Sequence, residues 1–382
     1  MSATATEQYW LLAKPRLDDL IGLLTGDGFE VIGPQIEQGA IVYGPLRTAG
    51  ELPIGWTDKQ APGSYRLEKR NDNAFFGYAV GPHSWKKYLF PPLLRLWQAR
   101  RSEDGFVVME AGPEPPKRAL LGVRSCELHA LAVQDRAFLN RAGKWTDPYY
   151  AKARERLFLI AIECEQPSGN CFCASMRTGP AVGPDVLYDL ALTELDNAFV
   201  LRIGSEAGGK MRERLSLCPA SDQQRAEAAD RVEQASRSMG RSLNVIDIRE
   251  VLHRNQEHPR WDQVADRCLA CTNCTLVCPT CFCSSVNEVT DLGMETAERV
   301  RRWDSCFNPD FAQVHGGNYR SSIRGRYRQW LTHKFASWYD QFDVSGCVGC
   351  GRCITWCPVG IDVTEEIAAI RQTDGQRKET GK

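Results

Sequence analysis

Residues 268–279 read CLACTNCTLVCP, and residues 347–358 read CVGCGRCITWCP. Each run has three cysteines separated by pairs of residues, then a fourth cysteine after three more residues, and then proline. Three closely spaced thiolates can reach three iron corners of one cubane, while the fourth thiolate points elsewhere. The two runs therefore predict two [4Fe–4S] clusters in the C-terminal third of the chain.

The ligands of the two clusters are expected to cross between the runs. In proteins with two such runs, the fourth cysteine of each run usually binds the cluster of the other run. One predicted ligand set is Cys268, Cys271, Cys274 and Cys357. The other is Cys347, Cys350, Cys353 and Cys278. A single C-x-x-C pair is also typical of zinc or of a redox dithiol, but two complete runs ending in Cys-Pro disfavour zinc.

The predicted fold class is α+β, with an N-terminal α/β-type domain over residues 1–245 and a helical dicluster domain over residues 246–382. The interval from Cys278 to Cys347 spans 69 positions, which exceeds a compact bacterial ferredoxin loop and allows two or more helices. It resembles the α-helical ferredoxin domain of succinate dehydrogenase and heterodisulfide reductase subunits. The Glu-, Gln-, Arg- and Ala-rich stretch 221–260 predicts connecting helices near the domain boundary.

In the N-terminal part, short apolar runs predict buried strands at 119–123 and 157–162. The first leads into a helical pattern that continues from Cys126 to about Asn140. Asp196-Asn197, between two further β-like stretches, predicts a hairpin turn.

Four cysteines in the N-terminal part suggest a third [4Fe–4S] site. Cys126 and Cys164 each follow a predicted strand, so parallel neighbouring strands would place both thiols at one sheet edge. Cys171 and Cys173 flank one residue and would point to the same side of an extended segment. The alternative is that all four are small buried hydrophobes. Cys164, Cys171 and Cys173 lie among polar residues that would not form an apolar core, and this favours the cluster.

Four further cysteines lie outside these predicted ligand sets. Cys281, Cys283 and Cys306 could pack beside the clusters, bind a metal directly or complete a catalytic centre, whereas Cys218 is expected to be structural. The segment between the runs is also locally basic, which is typical of a solvated helix face but also suits cations that offset cluster charge or form a docking face. The residues concerned are Arg301, Arg302, Arg320, Arg324, Arg326, Arg328, His333 and Lys334.

The composition excludes several classes of protein. The chain has 382 residues, a formal net charge of −1 and 16 cysteines. A net charge so close to zero provides no electrostatic attraction for nucleic acid. No stretch is long and apolar enough to span a bilayer, and residues 1–8 lack the pattern of a secretory signal. We therefore expect a cytoplasmic protein, whose reducing compartment favours metal ligation over disulfides.

Together these segments resemble a known family. Gly122-Val-Arg-Ser-Cys126-Glu127, Cys171-Phe-Cys173, the first run with its Pro279-Thr-Cys281-Phe-Cys283 extension, and residues 347–360 are similar to the iron–sulfur β subunit of cytoplasmic NAD(P)-linked [NiFe] hydrogenases, the sulfhydrogenases. The A subunit of anaerobic sulfite reductase is similar too. The resemblance extends from about Leu11 to Ile370.

The resemblance implies a hetero-oligomer that also contains a flavin subunit handling NAD(P)H and the small and large [NiFe] hydrogenase subunits. The β subunit of that family transfers electrons and does not activate hydrogen. This chain likewise lacks the paired C-x-x-C ends of a nickel–iron site and a dinucleotide fingerprint, so no catalytic residue is predicted. The alternatives are a sulfite reductase A subunit, or a sulfur- or disulfide-reducing enzyme that uses Cys281, Cys283 and Cys306.

Overall fold

A computed structural model of the chain describes residues 8–110, 114–139 and 145–374. The strands are β1 (Tyr9–Ala13), β2 (Glu30–Glu37), β3 (Ala40–Pro45), β4 (Trp56–Ala61), β5 (Ser64–Lys69), β6 (Leu93–Ser102), β7 (Gly105–Glu110), β8 (Arg118–Arg124), β9 (Leu157–Ile162), β10 (Leu190–Glu194), β11 (Ala198–Ile203), β12 (Cys218–Pro219), β13 (Ser284–Thr290), β14 (Thr296–Trp303), β15 (Gln313–Val314) and β16 (Gly317–Asn318).

The helices are α1 (Leu17–Gly26), α2 (Lys86–Leu89), α3 (Ser125–Phe138), α4 (Pro148–Glu155), α5 (Cys173–Met176), α6 (Glu206–Leu215), α7 (Asp222–Arg237), α8 (Ile248–Arg254), α9 (Arg260–Ala265), α10 (Asn273–Leu276), α11 (Ile323–Thr332), α12 (Trp338–Phe342), α13 (Arg352–Thr355) and α14 (Val363–Gln372). Short 3₁₀ turns occur at Lys14–Arg16, Ala49–Glu51 and Pro309–Ala312, and a π-helical segment, His333–Ser337, joins α11 to α12. Among the described residues, every helix is too short or too polar to cross a bilayer.

A mixed eight-stranded sheet organises the N-terminal part. Its order is β12-β1-β11-β10-β9-β8-β2-β3, and its central pairs β2/β8, β8/β9 and β9/β10 are parallel. Helices α1 and α6 bury apolar side chains against one face, and α3 and α4 against the other. Parallel strands that are covered by helices on both faces have apolar residues at consecutive positions. This layering therefore accounts for the short apolar runs from which the α/β character was predicted.

Several local predictions are confirmed. The predicted strands lie in β8 and β9, which are parallel neighbours, and β8 leads directly into α3. Helix α3 ends at Phe138, and Asn140 lies outside the described residues, as do residues 1–7 of the segment examined for a secretory signal. Strands β10 and β11 form the predicted hairpin, and α7 and α8 occupy the stretch predicted to be helical.

The interval between the two cysteine runs differs from the expectation of helices alone. Strands β13 and β14 form a hairpin ahead of α11, and β14 pairs with β6, which lies about 200 residues earlier in the chain. The resulting sheet has the order β13-β14-β6-β7. It therefore joins segments from both sides of the predicted boundary at residue 245.

The C-terminal residues have an aromatic core of their own. Trp261, Phe307, Trp330 and Phe335 are buried together with aliphatic side chains of α14. Phe172 from the N-terminal part is fully buried in the same cluster. The loop that carries Cys171 and Cys173 is thereby fixed against the second cysteine run.

Candidate iron–sulfur sites

The predicted ligands Cys268, Cys271, Cys274 and Cys357 define the candidate that we call the first cluster site. These four cysteines line one apolar cavity together with aromatic side chains, among them Phe307 and Trp330. Cys353 of the second run also borders this cavity and so lies between the two sites. The fourth cysteine comes from the other run, as the crossed arrangement requires. The loops aim backbone N–H groups at the sulfurs: Ala270 N–H donates to Cys268 Sγ at 3.4 Å, and Ile361 N–H donates to Cys357 Sγ at 3.3 Å.

The second cluster site comprises Cys347, Cys350, Cys353 and Cys278. These cysteines line a second, neighbouring cavity, again with one member from the opposite run. Gly349 N–H donates to Cys347 Sγ at 3.4 Å. Burial raises the pKa of Cys347 to about 12, although Lys334 opposes the rise. Iron would deprotonate these thiols on binding, and a cation of the protein nearby would further stabilise their negative charge.

Lys334 supplies positive charge at the second cluster site. It lies in the π-helical segment, is 5% exposed, and its Nζ donates to Cys278 Sγ at 3.1 Å, to Thr280 Oγ1 at 3.2 Å and to the Gly346 carbonyl at 3.3 Å. Burial lowers the pKa of Lys334, but Cys278 and the other thiols nearby outweigh it and hold the pKa well above its usual value. The buried ammonium therefore stays charged beside the thiolate.

The N-terminal cysteine site comprises Cys126, Cys164, Cys171 and Cys173. Cys126 and Cys164 each stand two residues beyond Arg124 and Ile162, which are register partners at the ends of β8 and β9. Burial raises the pKa of Cys171 to about 12, and the next contribution comes from Cys164. Burial also raises the pKa of Cys126, and there the next contribution comes from Cys173. The structure thus brings the four predicted thiols to one place.

This site adjoins the second cluster site directly. Phe172 N–H donates to the Gly349 carbonyl at 2.8 Å, and Cys171 Sγ lies 3.9 Å from the Cys350 carbonyl oxygen. Cys126 and Cys173 share a small buried cluster with Val348 and Cys350. The two sites therefore have a common wall made of the second run.

A buried ion pair fastens that wall to α3. Arg352, inside the second run, donates to Glu127 at 2.6 Å, and both side chains are 1% exposed. Arg352 also donates to the carbonyl oxygens of Gly81 and His83, while the Tyr43 hydroxyl donates to Glu127 at 2.7 Å. Because Glu127 follows Cys126 directly, the ion pair fixes the position of that thiol relative to the second run.

The remaining cysteines line neither cluster cavity. Cys218 is exposed on β12 at the edge of the large sheet. Cys281 forms a hydrogen bond with Cys278, whereas Cys283 and Cys306 form a hydrogen bond with each other. All three are partly buried. These four cysteines therefore lie outside the three groups formed by the twelve predicted ligands.

Within the described ranges, no three Cys, His, Asp or Glu side chains converge closely enough to hold a single metal ion. One zinc ion requires all its sulfur ligands about 2.3 Å from a single point. A cubane binds each thiolate at a different iron and so needs ligands that stand further apart around a shared cavity. The arrangement of the three sites thus suits clusters better than zinc.

Two comparisons with known proteins agree with this geometry. The model of a 4Fe-4S dicluster domain matches residues 267–361, which include both cysteine runs. The chain is also 29% identical over 338 residues to sulfhydrogenase 2 subunit beta of Pyrococcus furiosus, covering 87% of this chain and 92% of the relative. These findings support the likeness of this chain to sulfhydrogenase β subunits over most of its length. The dicluster domain match by itself supports two [4Fe–4S] clusters. No solved structure matches this chain.

Sequence reasoning alone did not single out three polar groups of this chain. Lys334 was one of eight basic residues for which the sequence left open a solvated helix face, cations that offset cluster charge and a docking face. The Glu127–Arg352 pair was not distinguished, and neither was Lys86, whose Nζ donates to the carbonyl oxygens of Cys278 and Cys281. The position of Arg352 inside a cysteine run was an available signal, because an arginine there must either face solvent or find a buried partner. The partner itself could not be identified, since Glu127 lies 225 residues away.

Proposed function

We propose that this chain is the iron–sulfur electron-transfer subunit of a cytoplasmic NAD(P)-linked [NiFe] hydrogenase complex. Its partners would be a flavin subunit that handles NAD(P)H and the small and large [NiFe] subunits. The observation that carries the proposal is the grouping of twelve cysteines into three adjoining sites in a chain similar to sulfhydrogenase β subunits.

The proposed ligands follow these groupings. The first site would hold a [4Fe–4S] cluster on Cys268, Cys271, Cys274 and Cys357. The second would hold one on Cys347, Cys350, Cys353 and Cys278. A third cluster would bind Cys126, Cys164, Cys171 and Cys173. Each such cluster supplies one-electron oxidation and reduction when bound.

The chain's own residues would tune these sites. Backbone N–H donors at Ala270, Gly349 and Ile361 stabilise negative charge on sulfur, and the apolar walls exclude water. The Lys334 ammonium adds a full positive charge to the second site. Hydrogen bonds, burial and nearby charge are the means by which a protein sets cluster potential.

The three sites differ in access to solvent. Cys271 is exposed and Leu269 is 62% exposed, so the first site borders the protein surface. The N-terminal cysteine site lies behind the second run and is enclosed by both parts of the chain. A redox partner can therefore approach the first site most closely without rearranging the fold.

The test is anaerobic purification with any bound partners, followed by iron, sulfide and nickel analysis. Three cubanes correspond to about twelve irons in this chain. Cys126→Ser is expected to reduce that number to about eight, and Cys218→Ser, the matched control at an exposed cysteine, should leave it at about twelve. A wild-type chain that contains zinc, or about eight irons, would contradict the three-cluster proposal.

Partner analysis separates the alternatives. Nickel in a co-purifying subunit and flavin in another would support the hydrogenase complex. Sirohaem absorbance in the purified complex would instead identify a sulfite reductase A subunit. The contact between Cys283 and Cys306 favours thiol chemistry as a second candidate, and reduction of sulfur by the isolated subunit with an artificial electron donor would support a sulfur-reducing enzyme.

A further inference from the structure

The base of the β13–β14 hairpin carries two thiols that the cluster sites do not use. Cys283 immediately precedes β13, and Cys306 follows β14 by three residues. The ladder ends with Ser284 opposite Trp303, and one position beyond it Asp304 N–H donates to the Cys283 carbonyl at 2.9 Å. The hairpin therefore fixes the backbone positions of Cys283 and Cys306 relative to each other.

The hairpin pairing brings the two thiols close enough to interact. Cys283 and Cys306 share a side-chain hydrogen bond, and the backbone N–H of Cys306 also donates to the Cys283 sulfur. Four cubane ligands each bind a different iron, so two ligands of one cubane do not lie in mutual hydrogen-bond contact. The third thiol of the group, Cys281, bonds to Cys278, which belongs to the second cluster site. The contact between Cys283 and Cys306 suits bond formation between them better than iron ligation.

A buried lysine faces this group. Lys86 is 3% exposed, and its Nζ donates to the carbonyl oxygens of Cys278 and Cys281 at 3.0 Å each. The ammonium also lies 4.0 Å from the centre of the Trp303 ring, the residue that closes the hairpin ladder. Burial lowers the pKa of Lys86 to about 8, and Cys281 and Cys278 oppose the fall. A cation held in this position stabilises negative charge on the neighbouring sulfurs.

We propose that Cys283 and Cys306 form, beside the second cluster site, a redox-active dithiol that stores two electrons when open and releases them when it closes to a disulfide. The inference relies on the proposed clusters as the source and destination of those electrons. The dithiol would exchange electrons with the clusters, so that a two-electron centre lies next to one-electron centres within a single chain.

The electron and proton balance is as follows. On reduction, two electrons from two reduced [4Fe–4S] clusters enter the S–S bond, which breaks. The Cys306 sulfur takes up one proton, and the Cys283 sulfur remains a thiolate that accepts hydrogen bonds from Cys306 and is stabilised by the nearby lysines. On oxidation, the two sulfurs join, one proton leaves Cys306, and two electrons return to the clusters. Neither direction needs a further reactant.

The electrostatics distinguish the two sulfurs. The hydrogen bond from Cys306 lowers the pKa of Cys283 to about 7, with Lys334 and Lys86 acting in the same direction. The same hydrogen bond raises the pKa of Cys306. Cys283 is therefore the sulfur that is held as a thiolate in the reduced pair, and Cys306 carries the proton that leaves on oxidation.

The test uses the anaerobically purified full chain with its bound metal. Samples are poised at a series of electrode potentials with small mediators, quenched in acid, alkylated and digested with trypsin. Cleavage leaves Cys283 in peptide 268–299 and Cys306 as the single cysteine of peptide 303–320. At high potential we expect these peptides to be joined by one disulfide, and at low potential to separate with both thiols alkylated. The conversion should be reversible and follow a two-electron slope of about 30 mV per tenfold change.

Single substitutions complete the test. Cys283→Ser and Cys306→Ser should each abolish the cross-linked peptides and keep the iron content of the unsubstituted chain. Cys218→Ser is the control and should retain the cross-link. Loss of about two or four irons from the Cys306→Ser chain would identify a metal ligand and overturn the dithiol. A missing cross-link at every potential, or one that joins Cys306 to a cysteine other than Cys283, would overturn it as well. Failure of the cluster proposal would appear separately, as low iron in the unsubstituted chain.

Discussion

The two cysteine runs have the same ligand spacing but occupy opposite environments. In the first run Cys271 is exposed and Leu269 is 62% exposed. In the second run Val348 is 3% exposed and Ile354 is fully buried. The spacing of the cysteines therefore determines how their thiols are arranged around a cavity. The residues between the cysteines determine which other segments can pack against the outside of the loop.

Two positions in each run illustrate this division. Ala270 and Thr272 in the first run have positive φ, and so do Gly349 and Gly351 at the equivalent positions of the second. The same loop winding thus occurs in both. At Gly349 a Cβ would stand 2.7 Å from the Cys173 backbone, and at Gly351 a Cβ would stand 2.4 Å from the Asn170 carbonyl oxygen. The second run needs glycine because the N-terminal cysteine loop lies directly on it.

The largest expected difference between the runs concerns Arg352. Arg352→Gln would leave Glu127 buried without its cation, which we expect to cost about 3–5 kcal/mol in the free energy of unfolding. The equivalent residue of the first run, Asn273, is exposed and donates to the Trp356 carbonyl at 3.2 Å. Asn273→Ala should therefore cost no more than about 1 kcal/mol. Guanidinium unfolding of the anaerobic protein, followed by cluster absorbance, measures both. Equal shifts would contradict the proposed importance of the buried pair.

A smaller effect is expected at the glycines. Gly349→Ala combines left-handed backbone strain with a backbone clash against Cys173, for about 2–3 kcal/mol in total. It should also displace the N-terminal cysteine loop and release about four irons. Ala270→Gly, at the matching position of the first run, relieves strain and should change stability by less than about 1 kcal/mol without loss of iron. If Gly349→Ala retained all its iron and its stability, the close packing of the two loops would be refuted.

The smallest effect is on reduction potential rather than on folding. Lys334→Met removes the cation beside Cys278 and should lower the potential of the second cluster by an amount on the order of 100 mV, because reduction adds negative charge that the ammonium stabilises. The control is Lys210→Met, at an exposed lysine paired with Glu206, and no shift is expected there. Redox titration followed by electron paramagnetic resonance measures the change. A rise in potential, or a shift confined to the first site, would be inconsistent with the assigned contact.

The sequence predicted the parts of the site that depend on local spacing. The crossed grouping of Cys357 with the first run and of Cys278 with the second recurs in the two cavities. The strand–turn–helix unit that presents Cys126 was also predictable, because a continuous apolar run ending at a helical pattern is a local signal. The ligation itself stays a prediction until metal analysis is done.

The parts that could not be predicted depend on distant partners. Strands β13 and β14 were read as part of a helical interval, and their partner β6 lies in the other half of the chain. Val286 and Val289 are about half exposed, so the hairpin lacks the alternation of buried and exposed residues that identifies a strand. The contact of Lys334 with Cys278 likewise depends on tertiary packing across 56 positions.

Pairing of β14 with β6 has a consequence for the evolution and engineering of the chain. The dicluster half is not a transferable module, because excising it would expose the edge of β14 along the seven register pairs that it makes with β6. An unpaired edge of this length invites association with foreign strands. Gene fusions or domain exchanges that involve this chain should therefore succeed only when residues 93–110 are transferred together with the dicluster half.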